Sequence, residues 1–141
     1  MNKYFIIIII LVLILGAGFG YNKFIKSESA KPIDTGVVKE FTIISKKLGW
    51  AFEPGLIEVN QGDTINLTII NEDDYDHGFT IEAFGISQRL PANETIKISF
   101  VATQAGEFTF FCSVPCGEGV VAGVKRGHFD QFGKIVVHAN V

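Results

Sequence analysis

The chain has 141 residues, 48% of them hydrophobic, with 15 acidic and 12 basic side chains for a net charge of −3. That length accommodates one modest domain. From Lys31 onward 14 acidic residues face nine basic ones, a balance of −5, so the basic face that phosphate contact needs is missing and nucleic acid is excluded as a partner.

The first element is apolar. Residues 4–21 carry no charge and include the unbroken run Ile6-Ile7-Ile8-Ile9-Ile10. An 18-residue helix there is just long enough to cross a hydrocarbon core of about 30 Å. Residues 1–22 are therefore read as an N-terminal membrane anchor or signal segment. Lys3 supplies the basic start of a secretory signal, but the apolar run exceeds the usual length of about 7–15 residues. Gly16-Ala17-Gly18-Phe19-Gly20 also lacks a clean cleavage motif, and no cysteine comes after it for lipid attachment. The uncleaved anchor is preferred. Either route exports the remainder of the chain, so the expected location is the cell membrane, single-pass, with the domain on the extracytoplasmic side. Residues 23–36 are polar, contain Lys31-Pro32 and read as a tether.

Residues 37–141 show strand signals and almost no helical ones. Polar and apolar side chains alternate over 64–69, 95–100 and 107–110. Residues 38–45, 56–59 and 135–137 are rich in β-formers, and Asn60-Gln61-Gly62-Asp63 is a turn. Period 2 bounded by Gly, Pro, Asn and Asp is the half-buried strand pattern. About seven such strands imply an all-β sandwich or barrel. If one strand runs straight through, Phe108, Phe110 and Cys112 share a face, and Cys112 points inward at the strand end.

Cys112 and Cys116 are the only cysteines. In an exported domain such a pair ordinarily forms a disulfide. Two histidines in marked contexts compete with that reading: His77 in Asp76-His77-Gly78-Phe79, and His128 in Gly127-His128-Phe129-Asp130-Gln131. Two thiolates and two imidazoles are a donor set that copper selects. The run Glu72-Asp73-Asp74-Tyr75-Asp76 abuts His77. It is either a solvated acidic turn or a negative patch that steers a basic redox partner. His138 and Trp50 are expected to be solvent-exposed and core, respectively. No nucleophile–base motif and no phosphate-binding glycine loop is present, so this chain alone is not expected to carry out substrate chemistry.

Several ordered pieces resemble a cupredoxin, specifically the dinuclear CuA domain of subunit II of haem-copper (cytochrome c) oxidases of the short, single-helix type. They are residues 54–62, Asp76-His77-Gly78-Phe79, Ala105-Gly106-Glu107-Phe108, Cys112-x-x-x-Cys116-Gly117, and residues 128–137. Together they cover about residues 41–137. The resemblance implies a cupredoxin-like Greek-key β-sandwich or barrel behind one N-terminal transmembrane helix. It implies copper as cofactor, with His77 and His128 each ligating one copper and Cys112 and Cys116 bridging both. The carbonyl of Val114 is implied as a weak axial ligand, and Gln131 occupies the place of the family's axial methionine. It also implies a soluble cytochrome c or cupredoxin as electron donor and an oxidase subunit I as acceptor.

Two departures stand out. Residues 120–127 lengthen the loop between Cys116 and His128 by eight residues, and the only methionine is Met1. Loop closure costs only about 0.6 kcal/mol per doubling of length. With Gly119, Gly123 and Gly127 making the insert pliable, an outward bulge is expected to let His128 return. Glu118 is the reserve ligand. Val114 also replaces a glutamate that helps bind magnesium in the family, so that role is not carried over. Two alternatives remain: a mononuclear, red-copper-like cupredoxin or copper-delivery protein, and a metal-free exported sandwich with a Cys112–Cys116 disulfide.

Overall fold

The computed structural model describes residues 2–20 and 35–140, and the chain divides into two compact units, Met1–Lys31 and Pro32–Val141. In the first, α1 spans Lys3–Gly20. Eighteen residues at 1.5 Å each give about 27 Å. Among the described residues no helix is long and apolar enough to cross a membrane. Met1 and residues 21–22 of the expected anchor segment, residues 23–34 of the tether, and Val141 at the end of the expected domain lie outside the described residues. The tether's last part belongs to the second unit. There the Thr35 amide donates to the Gly62 carbonyl at 3.0 Å, and its hydroxyl to Asp63 at 3.1 Å.

The second unit is a sandwich of two sheets. One contains β1 (Val38–Ser45), β2 (Phe52–Glu53), β4 (Thr64–Asn71) and β7 (Thr95–Val101) in the order β2-β1-β4-β7. The other contains β3 (Leu56–Asn60), β5 (His77–Ile81), β6 (Ile86–Leu90), β8 (Gly106–Phe111) and β11 (Phe132–His138) in the order β3-β11-β8-β5-β6. β1 pairs parallel with β4 and β3 parallel with β11; the other pairings are antiparallel. The alternating stretches become strands where expected. In β4 the apolar positions Ile65, Leu67 and Ile69 are buried and Asn66 and Thr68 between them are not, the pattern of a sheet with one covered face.

Strands β5 and β6 have no counterpart in the alternation. All five residues of β5 are buried, so it carries no polar face to alternate with, and β6 is a short edge strand buried only at its two ends.

The core closest to the candidate site is aromatic. Phe79 stacks on Phe110 with ring centroids 5.4 Å apart, and Phe52 meets both at 5.5 and 5.8 Å. Phe79 lies two residues after His77, and Phe110 two before Cys112. Strand alternation therefore points each donor to the same side as a core phenylalanine. Phe110 and Cys112 are both buried, as their shared parity requires, and Phe108 is half-buried.

Residues 118–127 are an ordered hairpin and not a pliable bulge. β9 (Glu118–Val121) pairs antiparallel with β10 (Val124–Gly127), with Val121 opposite Val124 and Glu118 opposite Gly127. The two loop residues, Ala122 and Gly123, have φ of +50° and +82°. Positive φ at both central positions is the type I′ geometry that matches strand twist. The glycine at 123 meets it without strain, whereas Ala122 does so against its Cβ.

Candidate metal centre

Four donors form a linked series of contacts. His77 Nδ1 lies 3.7 Å from Cys112 Sγ, Cys112 Sγ lies 3.7 Å from Cys116 Sγ, and Cys116 Sγ lies 3.7 Å from His128 Nδ1. Oxygens sit beside each end. The Val114 carbonyl oxygen is 3.2 Å from Cys112 Sγ, and Gln131 Oε1 is 3.4 Å from Cys116 Sγ. All six residues singled out in the sequence thus converge, although their order in the chain spans 55 positions, from His77 to Gln131.

Both cysteines are free thiols, and their separation is far beyond the bonded S–S length of about 2.05 Å. It does suit metal donors. A sulfur about 2.3 Å and an imidazole nitrogen about 2.0 Å from a shared tetrahedral ion stand about 3.5–3.8 Å from a neighbouring sulfur. The tightest group, with all ligand atoms within 4.8 Å of one another, is His77, Cys112 and Cys116. His128 lies outside that group and joins the series at Cys116.

Each donor has its own support. His77 begins β5 and is buried, and its Nε2–H donates to Asp73 Oδ2 at 3.4 Å. A carboxylate behind a ligand histidine fixes the tautomer and leaves Nδ1 free to bind. Cys112 follows β8, and its sulfur accepts the Gly78 amide at 3.4 Å. A Cβ on Gly78 would lie 2.3 Å from Ser113 Oγ and 2.9 Å from the Ser113 amide nitrogen, so only glycine lets the two segments approach. The Cys116 carbonyl accepts Trp50 Nε1–H at 3.2 Å. Trp50 also packs against the hairpin, where a Cβ on Gly119 would lie 2.4 Å from its ring. His128 is brought back by the hairpin ladder, its amide donating to the Gly117 carbonyl at 3.1 Å. Gln131 is buried; its carbonyl accepts the Cys112 amide at 2.9 Å and its Nε2–H donates to Ser45 Oγ at 2.7 Å.

The two thiols are driven apart electrostatically. Burial pushes both up. At Cys112 the hydrogen bonds from His77 and the Gly78 amide overcome it and hold the thiol down to about 6. At Cys116 burial and the neighbouring Cys112 thiolate act together and push it up to about 12. Burial lowers His77, but its contacts with Cys112 and Asp73 outweigh that and raise it above the usual imidazole value. Without metal the pair therefore holds one thiolate and one thiol at neutral pH.

Asp73, Ser45, Trp50 and Gly78 are the supporting residues that sequence reasoning did not assign to the site. Asp73 stands four residues before His77, the one available signal, and it is hidden in an acidic run that reads as surface. That run is no free negative patch. Glu72 pairs with Lys46, Asp74 with Lys47 and Asp76 with Arg89, while Asp73 turns inward. Glu118 is exposed and pairs with Lys125 at 2.9 Å, outside the series of donors. His138 is exposed and meets Glu58 at 3.0 Å, and Trp50 is buried, as expected.

Comparison with known proteins agrees with this fold. The cupredoxin-like domain family matches residues 7–122. The chain belongs to that family. This cupredoxin is 29% identical over 98 residues to cytochrome c oxidase subunit 2 of Thermus thermophilus, covering 70% of this chain and 66% of the relative. It is 38% identical over 61 residues to nitrous-oxide reductase of Stutzerimonas stutzeri, covering 41% of this chain and 10% of that enzyme. The cupredoxin thus spans a tenth of one curated relative and just under two thirds of the other. Its fold is similar to a chain in the structure of a heme-copper terminal oxidase dimer, with a TM-score of 0.53 and 18% identity over 96% of this chain and 97% of that one. His77, Cys112 and Cys116 form a copper-type donor set in this cupredoxin, which is homologous to oxidase subunit II.

Proposed function

We propose that this cupredoxin is a membrane-anchored electron-transfer domain of the CuA type, with two coppers held between Cys112 and Cys116. One observation carries the reading: each sulfur has its own histidine nitrogen at 3.7 Å, and the two sulfurs lie 3.7 Å apart. A single ion needs only the compact three-donor group, which leaves His128 and Gln131 without a task. Two ions would draw on all six residues, with His77, His128, the Cys112 and Cys116 thiolates, the Val114 carbonyl and the Gln131 amide oxygen available to hold them. Bound copper supplies a one-electron couple. The protein's part is to hold the donors still and dry. Asp73, the Gly78 amide, Trp50 and the ladder before His128 each fix one donor, and small reorganisation favours fast transfer.

The likeness to oxidase subunits supports a soluble cytochrome c or cupredoxin as donor and an oxidase subunit I as acceptor. The uncharged residues 4–21 support an anchor that keeps the domain on the extracytoplasmic side. Copper content and electron paramagnetic resonance test the core of the reading. Two coppers per chain with one electron shared between them are expected, and one localised copper overturns the dinuclear reading. That second outcome is the mononuclear alternative, which the compact His77, Cys112 and Cys116 group favours. Fractionation of the full chain tests the anchor, with recovery of the chain in the soluble fraction the contrary result.

A further inference from the structure

Gln131 is held at both ends of its amide, one end by the loop after β8 and the other by the end of strand β1. Its oxygen faces Cys116 at 3.4 Å, while its nitrogen donates to the hydroxyl of Ser45, 86 positions earlier in the chain, at 2.7 Å. Ser45 is the last residue of β1. It is fully buried and sits in a ladder between Phe52 of β2 and Asn71 of β4, with its carbonyl accepting the Glu72 amide at 3.0 Å. The hydroxyl therefore has little freedom to move. The Gln131 backbone is equally fixed, since its carbonyl takes the Cys112 amide and its own amide donates to the His128 carbonyl at 3.3 Å.

A glutamine amide has two ends of nearly equal size and opposite polarity. A cation attracts the oxygen and repels the NH₂ group. We infer that Ser45 is a positioning residue that holds the Gln131 amide by its nitrogen and so presents the oxygen to the metal. This role rests on Gln131 being an axial donor, as proposed above. It adds a task for a strand-end serine in the opposite sheet, remote from the ligand loops in sequence. A methionine at position 131 would need no such partner, because a thioether has no second end to hold. Ser45 is therefore the complement that a glutamine requires.

The test is a double-mutant cycle of Ser45→Ala and Gln131→Met on the copper-loaded full chain, read by reduction potential, absorption and electron paramagnetic resonance. Ser45→Ala is expected to shift the potential and the copper hyperfine pattern and to weaken copper binding by about tenfold, at the low end for a supporting residue. In the Gln131→Met background the same change is expected to leave all three unmoved, and Ser45→Thr, which keeps the hydroxyl, to restore the wild-type signals. Equal shifts in both backgrounds, or none in either, overturn the inference while the copper site stands. A wild-type chain that takes up no copper overturns the site and the inference together. Should Ser45→Ala fail to fold, nuclear magnetic resonance of the metal-free wild-type chain decides. A Gln131 side-chain amide protected from exchange supports the inference, and one exchanging as freely as an exposed glutamine overturns it.

Discussion

The two ends of the donor series use the same chemistry on unlike supports. At the His77 end the imidazole is 1% exposed, starts a fully buried strand and leans on a buried carboxylate. At the other end His128 is half-buried, follows an exposed hairpin, and lies edge-on at 5.0 Å from Phe129, which is 91% exposed. One donor is part of the core, and the other is delivered to it. The core end should tie metal binding to folding, and the delivered end should tune the metal at little cost to the fold.

Removing each histidine breaks the comparison most directly. In the metal-free chain His77→Ala leaves a cavity and takes the imidazole partner away from buried Asp73, and should cost about 3 kcal/mol. His128→Ala should cost less than about 1 kcal/mol. Denaturant unfolding of both variants measures the gap, and equal losses would show the two ends to be alike. Close behind comes Gly78→Ala. Its Cβ would press on the Ser113 backbone, and overpacking costs about 1–3 kcal/mol. The Cys112 loop should move and copper uptake, measured by titration, should fall sharply. Gly119→Ala presses instead on the Trp50 ring, so its effect should centre on the Cys116 end.

Protons offer a finer probe. The Cys116 thiol, pushed up to about 12, stays protonated through neutral pH, whereas Cys112, near 6, is already ionised above that value. Metal must displace the Cys116 proton. Loading between pH 7 and 9 should therefore release at least about one proton, and apparent affinity should rise about tenfold or more per pH unit. Calorimetry in buffers of different ionisation enthalpy reads this, and pH-independent loading would refute the assignment. The smallest effect belongs to the hairpin tip. Ala122→Gly relieves a positive φ and should stabilise the chain by about 0.5 kcal/mol in the same unfolding measurement, with the spectrum at the His77 end unchanged.

Much of the fold was legible because half-buried strands announce themselves by alternation. The parity of Phe108, Phe110 and Cys112 also pointed the first thiol inward. β5 was not legible as a strand, since burial on both faces removes the signal. The hairpin escaped as well. Its glycines read as slack, although Gly123 supplies the turn geometry and Gly119 the room for Trp50. Asp73 shows the same limit in a charged residue. Nothing in Glu72-Asp73-Asp74-Tyr75-Asp76 marks which carboxylate turns inward, because that depends on Asn71 and Leu48 holding the loop from both sides.

By itself the sequence determined which donors exist and that two of them sit four positions apart at the end of an aromatic strand. Donor chemistry is a property of residue type, and strand parity a property of local spacing. Tertiary structure alone decided that His128 returns past eight added residues, that the cysteines stand 3.7 Å apart as free thiols, and that Ser45 meets Gln131. Each of these depends on register between segments far apart in the chain, which local pattern does not encode.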